Sequence, residues 1–196
     1  MTHDCHLVLL REIGSTNDEM RRLAASGELS PARPTVILAE RQTAGRGNRG
    51  HRWISPPGSV YLSVLWRSNA TPDQIGFLPL VVALAAREAL APFTTSPISV
   101  KWPNDLLTPK GKLVGILVEN IGKSQGWIIG LGANVLPSPD SGFLGASYLE
   151  TTDIEAVAAA LINGLFDTLQ CWEQGACDFA LFEEEYQKHR IQMGSE

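Results

Sequence analysis

Three arginines recur every third residue in a glycine-rich stretch, Gly45-Arg46-Gly47-Asn48-Arg49-Gly50-His51-Arg52. Backbone N–H groups of such a loop can cradle an anion, and guanidinium forks match phosphate oxygens. A solvated basic loop without a ligand is the plainer reading of the same residues. Gly45 to Gly50 also spells the G-x-G-x-x-G of a dinucleotide fingerprint, which needs a helix opening on its last glycine to hold pyrophosphate. Here His51-Arg52-Trp53 and then Pro56-Pro57-Gly58 follow, which cannot be that helix. No Lys-Ser/Thr pair follows the glycines either, so a P-loop is excluded.

Two further clusters carry chemistry-bearing side chains. Lys101-Trp102-Pro103-Asn104-Asp105 sets a cation, a large aromatic and two polar residues side by side. An Asn-Asp turn at a strand end explains Asn104 and Asp105 equally well, and Trp102 is read as core packing. Lys112 opens the otherwise apolar run KLVGILVEN, where a lysine can simply snorkel to solvent. In the run WIIGLGANV, Gly130 and Gly132 remove side chains from one strand face. That suits the close approach of a flat ligand, or only a bulge.

The elements that must position these residues follow from local pattern. Leu7–Leu10 predicts an opening strand. Ser15 and Thr16 are good helix caps, with Glu19 three residues after Thr16 as a capping box requires, and Gly27 can end that helix after Ser26. Thr35–Glu40 predicts a buried strand leading into a long polar loop, Arg41–Gly58, with four glycines, two prolines and four arginines. Long loops in compact domains are more often functional than accidental. Ser59–Arg67 and Ile98–Trp102 predict strands, the second ended by a Pro103-Asn104-Asp105 turn. Leu78–Leu90 predicts a helix with Pro79 in its first turn. Lys112–Asn120 and Trp127–Val135 form a hairpin across Gly122-Lys123-Ser124-Gln125-Gly126. Asp153–Gln170 and Ala176–Lys188 predict amphipathic helices. Strands in the middle, helices at the end and an antiparallel pair favour α+β over a doubly wound parallel sheet.

Composition bounds the function. The 196 residues suit one domain, 1–196, and 44% hydrophobic with 19% charged residues excludes a disordered chain. Sixteen Lys+Arg against 21 Asp+Glu give a net charge of −5, which argues against a protein that grips nucleic acid through phosphates. Cys5, Cys171 and Cys177 are odd in number and form no CxxC. That pattern points to neither a disulfide framework nor a zinc knuckle, and to a reduced, cytoplasmic protein. No secretory signal opens the chain, and the apolar run Phe77–Ala86 falls short of the roughly 20 residues that span a bilayer. No membrane role is expected.

Five segments occur in order: Ser15-Thr16-Asn17, Ala39-Glu40-Arg41-Gln42-Thr43-Ala44-Gly45-Arg46-Gly47, Val100-Lys101-Trp102-Pro103-Asn104-Asp105, Gly111-Lys112-Leu113-Val114-Gly115-Ile116-Leu117-Val118-Glu119 and Ile129-Gly130-Leu131-Gly132-Ala133-Asn134. Each alone is weak, but the ordered set resembles the catalytic domain of biotin protein ligases over nearly the whole chain. The resemblance implies a mixed sheet with flanking helices, of the biotin/lipoate ligase and class II aminoacyl-tRNA synthetase-like type. It implies joining of biotin to ATP as biotinyl-5′-AMP, with Mg²⁺ accompanying the nucleotide and no protein metal site. Biotin would then pass to a lysine of the biotin carboxyl carrier protein of acetyl-CoA carboxylase. Neither nucleic acid nor membrane is an implied partner, and pairing of relatives through sheet edges makes a homodimer one state to consider.

Residue roles follow from the same resemblance. Lys112 matches the lysine that meets the biotin carboxylate and the phosphate, Arg46 the loop arginine, and Asp105 an acidic residue near the reacting centre that orients Lys112 or helps deprotonate the incoming lysine. Bringing a carboxylate to a phosphate demands positive charge where the transition state is most negative. Ser15, Thr16 and Gln42 are expected on the ureido head group, which offers two N–H donors and one carbonyl, and Asn17 elsewhere in the biotin site. Gly45, Gly47, Asn48, Gly115 and Leu117 complete the biotin site. Arg49, Trp53, Asn104, Gly130 and Asn134 are expected on ATP or the adenylate, with Asn134 on adenine and Trp53 over the bound adenylate.

The chain departs from the family pattern in three places. Asn48 stands where the common loop has an arginine, which should weaken adenylate retention unless Arg49 substitutes. No helix-turn-helix region precedes Leu7, so transcriptional repression is not expected. A small C-terminal β-barrel of relatives is not evident near Glu196. Other readings are a lipoate or octanoate transferase of the same fold, a non-catalytic biotin- or adenylate-sensing module, and an anion-binding domain. Lipoic acid has no ureido group for Gln42 and Ser15 to read, and a sensor has no need of charge at the carboxylate.

Overall fold

The computed structural model describes residues 3–30, 33–67, 75–122, 126–138, 145–174, 184 and 186–189. Seven strands form one sheet: β1 (His6–Ile13), β2 (Thr35–Gln42), β3 (Val60–Trp66), β4 (Ser99–Lys101), β5 (Asp105–Thr108), β6 (Gly111–Asn120) and β7 (Trp127–Ala133). Their spatial order is β1-β2-β3-β7-β6-β5-β4. Only β1 and β2 run parallel, and every other neighbouring pair is antiparallel. The sheet is therefore mixed and the class α+β, as the pattern of elements predicts. β5 corrects that reading, because Asp105 opens a strand and only the residues before it turn.

Alternation along the strands sorts side chains onto two faces. Val60, Leu62, Val64 and Trp66 of β3 join Ile129, Leu131 and Ala133 of β7 beneath two helices, α2 (Leu78–Leu90) and α3 (Ile154–Glu173). α3 is long and apolar enough to cross a membrane by length and composition. Its Val157, Leu161, Leu165, Phe166, Leu169 and Trp172 instead belong to this core. Most of the helix expected over Ala176–Lys188 lies outside the described residues. Cys171 near the end of α3 is disulfide-bonded, which corrects the expectation of no disulfide; Cys5 is free.

The opposite face carries one helix, α1 (Thr16–Ser26). Ser15 is its N-cap, accepting the Asp18 N–H, and Gly27 ends it in the left-handed conformation at φ 74°. The Thr16–Glu19 capping box does not form; Glu19 pairs with Arg22 at 2.8 Å instead. Met20 of α1 packs with Ile37, Leu65 and Ile128, so α1 covers only one end of this face. The rest of the face is open to build a site. Trp102 lies outside the core: it is 54% exposed and meets Tyr186 in a tilted contact, ring centroids 5.8 Å apart. The strand β4 ends at Lys101 and the chain turns at Trp102, so the alternation that sets Val100 inward does not extend to the indole.

Candidate active site

Cross-strand register builds the floor of a cleft from backbone. Gly115 of β6 pairs with Gly132 of β7, which pairs with Tyr61 of β3. In the next row on the same face stand Leu117, Gly130 and Ser63. The three glycines are required by what lies on them. A Cβ at Gly130 would stand 2.2 Å from Asn17 Oδ1, one at Gly132 2.4 Å from the Trp53 indole nitrogen, and one at Gly115 2.7 Å from the Trp53 ring. The strand pairing runs unbroken through Gly130 and Gly132, so neither marks a bulge. The flat group on Gly132 is the protein's own indole.

Lys112 reaches this face because of a register shift. Pairing runs Asp105 to Gly115 and Leu106 to Val114, then jumps to Leu107 opposite Lys112. The extra residue, Leu113, lets Leu113 and Val114 both bury fully and turns Lys112 to the side of Gly115, as β-bulges re-aim side chains. Lys112 Nζ lies 2.8 Å from Asp105 Oδ1 and 5.1 Å from the centroid of the Trp53 ring. Cation, carboxylate and aromatic face thus converge over the glycine floor.

One end of the cleft is a buried polar cluster. Gln42 Oε1 accepts from the Thr16 backbone N–H at 2.9 Å and from Thr16 Oγ1 at 3.1 Å, and Gln42 Nε2 donates to Ser55 Oγ at 2.9 Å. Ser63, fully buried, donates to Asn17 Oδ1 at 2.6 Å and lies 2.8 Å from Thr16 Oγ1. Asn17 Nδ2 donates to Glu119 at 2.8 Å. A buried, hydrogen-bonded network of this kind holds its members in one geometry. At the other end Asn134 Nδ2 donates to the Lys112 carbonyl at 3.0 Å, and Asn104 Nδ2 donates to the Ile116 carbonyl at 2.5 Å.

The glycine loop folds back as a narrow hairpin over the cleft. Trp53 N donates to Gly45 O, Gly47 N to His51 O, and Arg46 bridges Arg52. Gly45 does not line the cleft; a Cβ there would meet the Trp53 carbonyl at 2.5 Å, so the residue lets the two hairpin strands close. Arg49 stands exposed at the tip in the left-handed region, φ 56°. The Arg46 guanidinium is held by Asp18 (2.5 Å) and Glu119 (3.2 Å). Burial raises the Glu119 carboxyl, but hydrogen bonds from Asn17 and Arg46 and the charges of Arg46 and Arg21 outweigh it and hold the group below its usual range.

The resulting cleft measures about 390 Å³, within the range of small-molecule sites. It gathers Ser15, Thr16, Asn17, Gln42, Arg46, Gly47, Asn48, Trp53, Asn104, Asp105, Lys112, Gly115, Leu117, Gly130 and Asn134. Of the residues singled out from sequence, Gly45 and Arg49 do not line it. Ser59, Tyr61, Gly132, Leu136, Ala146 and Tyr148 line it as well. Tyr61 was findable in principle, since strand alternation sets it on the face of Ser63, opposite Val60 and Leu62. Among the described residues no group of three or more His, Cys, Asp or Glu side chains is placed to hold a metal ion.

Residues 12–134 match the model of the biotin/lipoate A/B protein ligase family. The chain is 35% identical over 179 residues to the bifunctional ligase/repressor BirA of Escherichia coli, covering 86% of this chain and 54% of that protein. It is 38% identical over 140 residues to the biotin–[acetyl-CoA-carboxylase] ligase of Mycobacterium tuberculosis, covering 68% and 51%. The chain thus spans about half the length of the curated relatives it matches. Biotin protein ligase from Aquifex aeolicus, solved with biotin and ATP, superposes with a TM-score of 0.75 at 30% identity, over 97% of this chain and 80% of that one. The Leishmania major biotin protein ligase bound to biotinyl-5-AMP shares the fold at a TM-score of 0.80 and 24% identity, over 97% and 83%. A match covering more than half of the sequence, over the very segments that build the cleft, makes this chain a member of the biotin/lipoate A/B protein ligase family.

Proposed function

We propose that the protein activates biotin with ATP as biotinyl-5′-AMP and then transfers biotin to a lysine of a carrier protein. The observation that carries this reading is Lys112. It is the one lysine among the described residues that lines the cleft, and the bulge, Asp105 and Trp53 hold it over the glycine floor. In the first step a biotin carboxylate oxygen attacks the α-phosphorus, the bond to pyrophosphate breaks and pyrophosphate leaves. Two anions must meet, and a fixed ammonium at that point stabilises the charge without reorganising. In the second step a carrier lysine amine attacks the acyl carbon, AMP departs, and Asp105 accepts the amine's proton.

The polar end of the cleft is suited to a ureido ring. Ser15, Thr16, Asn17 and Gln42 offer both donors and acceptors there, which a dithiolane ring would leave unanswered; this favours biotin over lipoate. Asn48, Gly115 and Leu117 would flank the biotin chain, while Arg49, Arg52, Trp53, Asn104, Gly130 and Asn134 would serve the nucleotide. Mg²⁺ fits as an ion carried by the nucleotide's phosphates and water, since Asp105 already pairs with Lys112. The homology to biotin–[acetyl-CoA-carboxylase] ligases makes a biotin carboxyl carrier protein the proposed acceptor, a cytoplasmic encounter drawing on ATP. We read residues 1–196 as one catalytic domain.

The test is incubation with biotin, ATP, Mg²⁺ and a purified carrier domain, followed by mass spectrometry, for wild type and Lys112→Ala. A single biotin-sized increment, lost in the variant, is expected. Biotin binding without pyrophosphate release or transfer would instead establish a sensing module.

A further inference from the structure

The cationic loop and the acidic residues beside it are arranged differently from what a simple anion cradle requires. Of the three arginines in the Gly45–Arg52 hairpin, Arg46 alone is engaged by carboxylates among the described residues. Its Nε and Nη2 donate to Asp18 at 3.2 and 2.5 Å, and its Nη1 and Nη2 donate to Glu119 at 3.2 Å each. Among the described residues neither Arg49 nor Arg52 forms an ion pair, and Arg52 lines the cleft. Asp18 lies in the first turn of α1 and Glu119 near the end of β6. The loop springs from β2, which β3 and β7 separate from β6. Arg46 therefore ties the root of the hairpin across the sheet to the far wall of the cleft. Glu119 also accepts from Asn17 at 2.8 Å, which joins this tie to the buried network of Thr16, Ser63 and Gln42.

We propose that Asp18 and Glu119 are positioning residues that act through Arg46, and that Arg46 is a strut closing the polar end of the cleft rather than a phosphate ligand. An isolated exposed ion pair contributes little, but one guanidinium gripped by two carboxylates, one of them also fixed to a buried amide, is a network with defined geometry. The charge offered to phosphates in the cleft then comes from Lys112 and Arg52. The strut rests on the ligase reading for its catalytic consequence, but not for its structural one.

Biotin-dependent exchange of pyrophosphate into ATP is measured for wild type, Glu119→Gln, Arg46→Ala and the double variant. Loss of the strut should raise KM for biotin about tenfold, the scale of one charge-assisted hydrogen bond, with kcat falling by less than about threefold. The double variant should be no worse than Arg46→Ala alone, because both changes remove the same tie. A fall in kcat of about a hundredfold in Arg46→Ala, with both constants unchanged in Glu119→Gln, would overturn the proposal and return Arg46 to the reacting phosphate. If wild type shows no biotin-dependent exchange, the ligase reading fails, and the strut is decided by limited trypsin cleavage after Arg49 and Arg52. Faster cleavage in the Asp18→Asn/Glu119→Gln protein than in wild type upholds it, and equal rates reject it. Far-UV circular dichroism confirms that each variant folds.

Discussion

At Gly130, the space a methyl group would need is already filled by Asn17 Oδ1 at 2.2 Å. Gly130→Ala must push Asn17 off both Ser63 and Glu119, so it should destabilise the protein by about 1–3 kcal/mol, as overpacking does, and weaken biotin binding with it. Thermal denaturation and biotin titration read the two effects. Asn48 lines the cleft where an arginine would add a fork. Asn48→Arg should prolong retention of preformed biotinyl-AMP by the equivalent of about 1.5–3 kcal/mol; an unchanged release rate in a filter-binding chase would reject that. Much of this chemistry is legible in residue types: Lys112, Asp105, Gln42 and Thr16 stand out before any fold is known. Their partners are not legible. Nothing in the order of letters says that Ser63, 46 residues beyond Asn17, hydrogen-bonds it, because that contact exists only once α1 lies on β3.

Elements decide which way those residues face. The strand β6 reads as a simple alternation from Lys112 to Asn120, and on that reading Lys112 would share a face with Val114 and point toward α2 and α3. The bulge at Leu113 reverses it. Deleting Leu113 should restore regular pleating yet leave Lys112 toward Asp105, because it would then adjoin Val114 and share the face of Gly115; pyrophosphate exchange should persist while thermal denaturation shows the loss of a fully buried leucine. The capping of α1 shows the same dependence on context: Thr16 has the letters of a cap, yet its N–H and hydroxyl go to Gln42, leaving the cap to Ser15. Where α1 meets β6, burial pushes the Glu119 carboxyl up, but hydrogen bonds from Asn17 and Arg46 and the charges of Arg46 and Arg21 hold it below the usual carboxylate range. A lowered carboxylate stabilises the fold above its unfolded pKa, and that contribution disappears as pH falls through the lower folded value. The stability gap between wild type and Glu119→Gln should therefore be constant near neutral pH and shrink only below about 4.5. Denaturant titrations at several pH values will show whether it does.

Across the whole molecule the sheet separates two kinds of packing. One face is a dry core under α2 and α3, and the other holds the cleft. On the dry side Gly164 of α3 lets the helix close on α2, where a Cβ would stand 3.1 Å from Ala89 Cβ. Gly164→Leu should lose about 1–3 kcal/mol by overpacking yet leave KM for biotin unchanged, since no cleft residue touches that seam. Unfolding curves and exchange kinetics on one preparation separate the outcomes. The α+β class and most strands follow from alternation and turn residues. Spatial order does not: β7 enters beside β3, far from it in sequence, and the exposure of Trp102 follows from β4 ending one residue before it.

The indole nitrogen of Trp53 is buried over Gly132 and meets no hydrogen-bond acceptor among the described residues. A buried donor that lacks an acceptor costs about 1–3 kcal/mol. A small molecule that brings a lone pair to that nitrogen, or draws the ring off the glycines, removes the penalty, and a purely apolar one of the same shape leaves it in place. Selectivity is thus partly written into the unliganded state, as a discomfort that only the right visitor relieves.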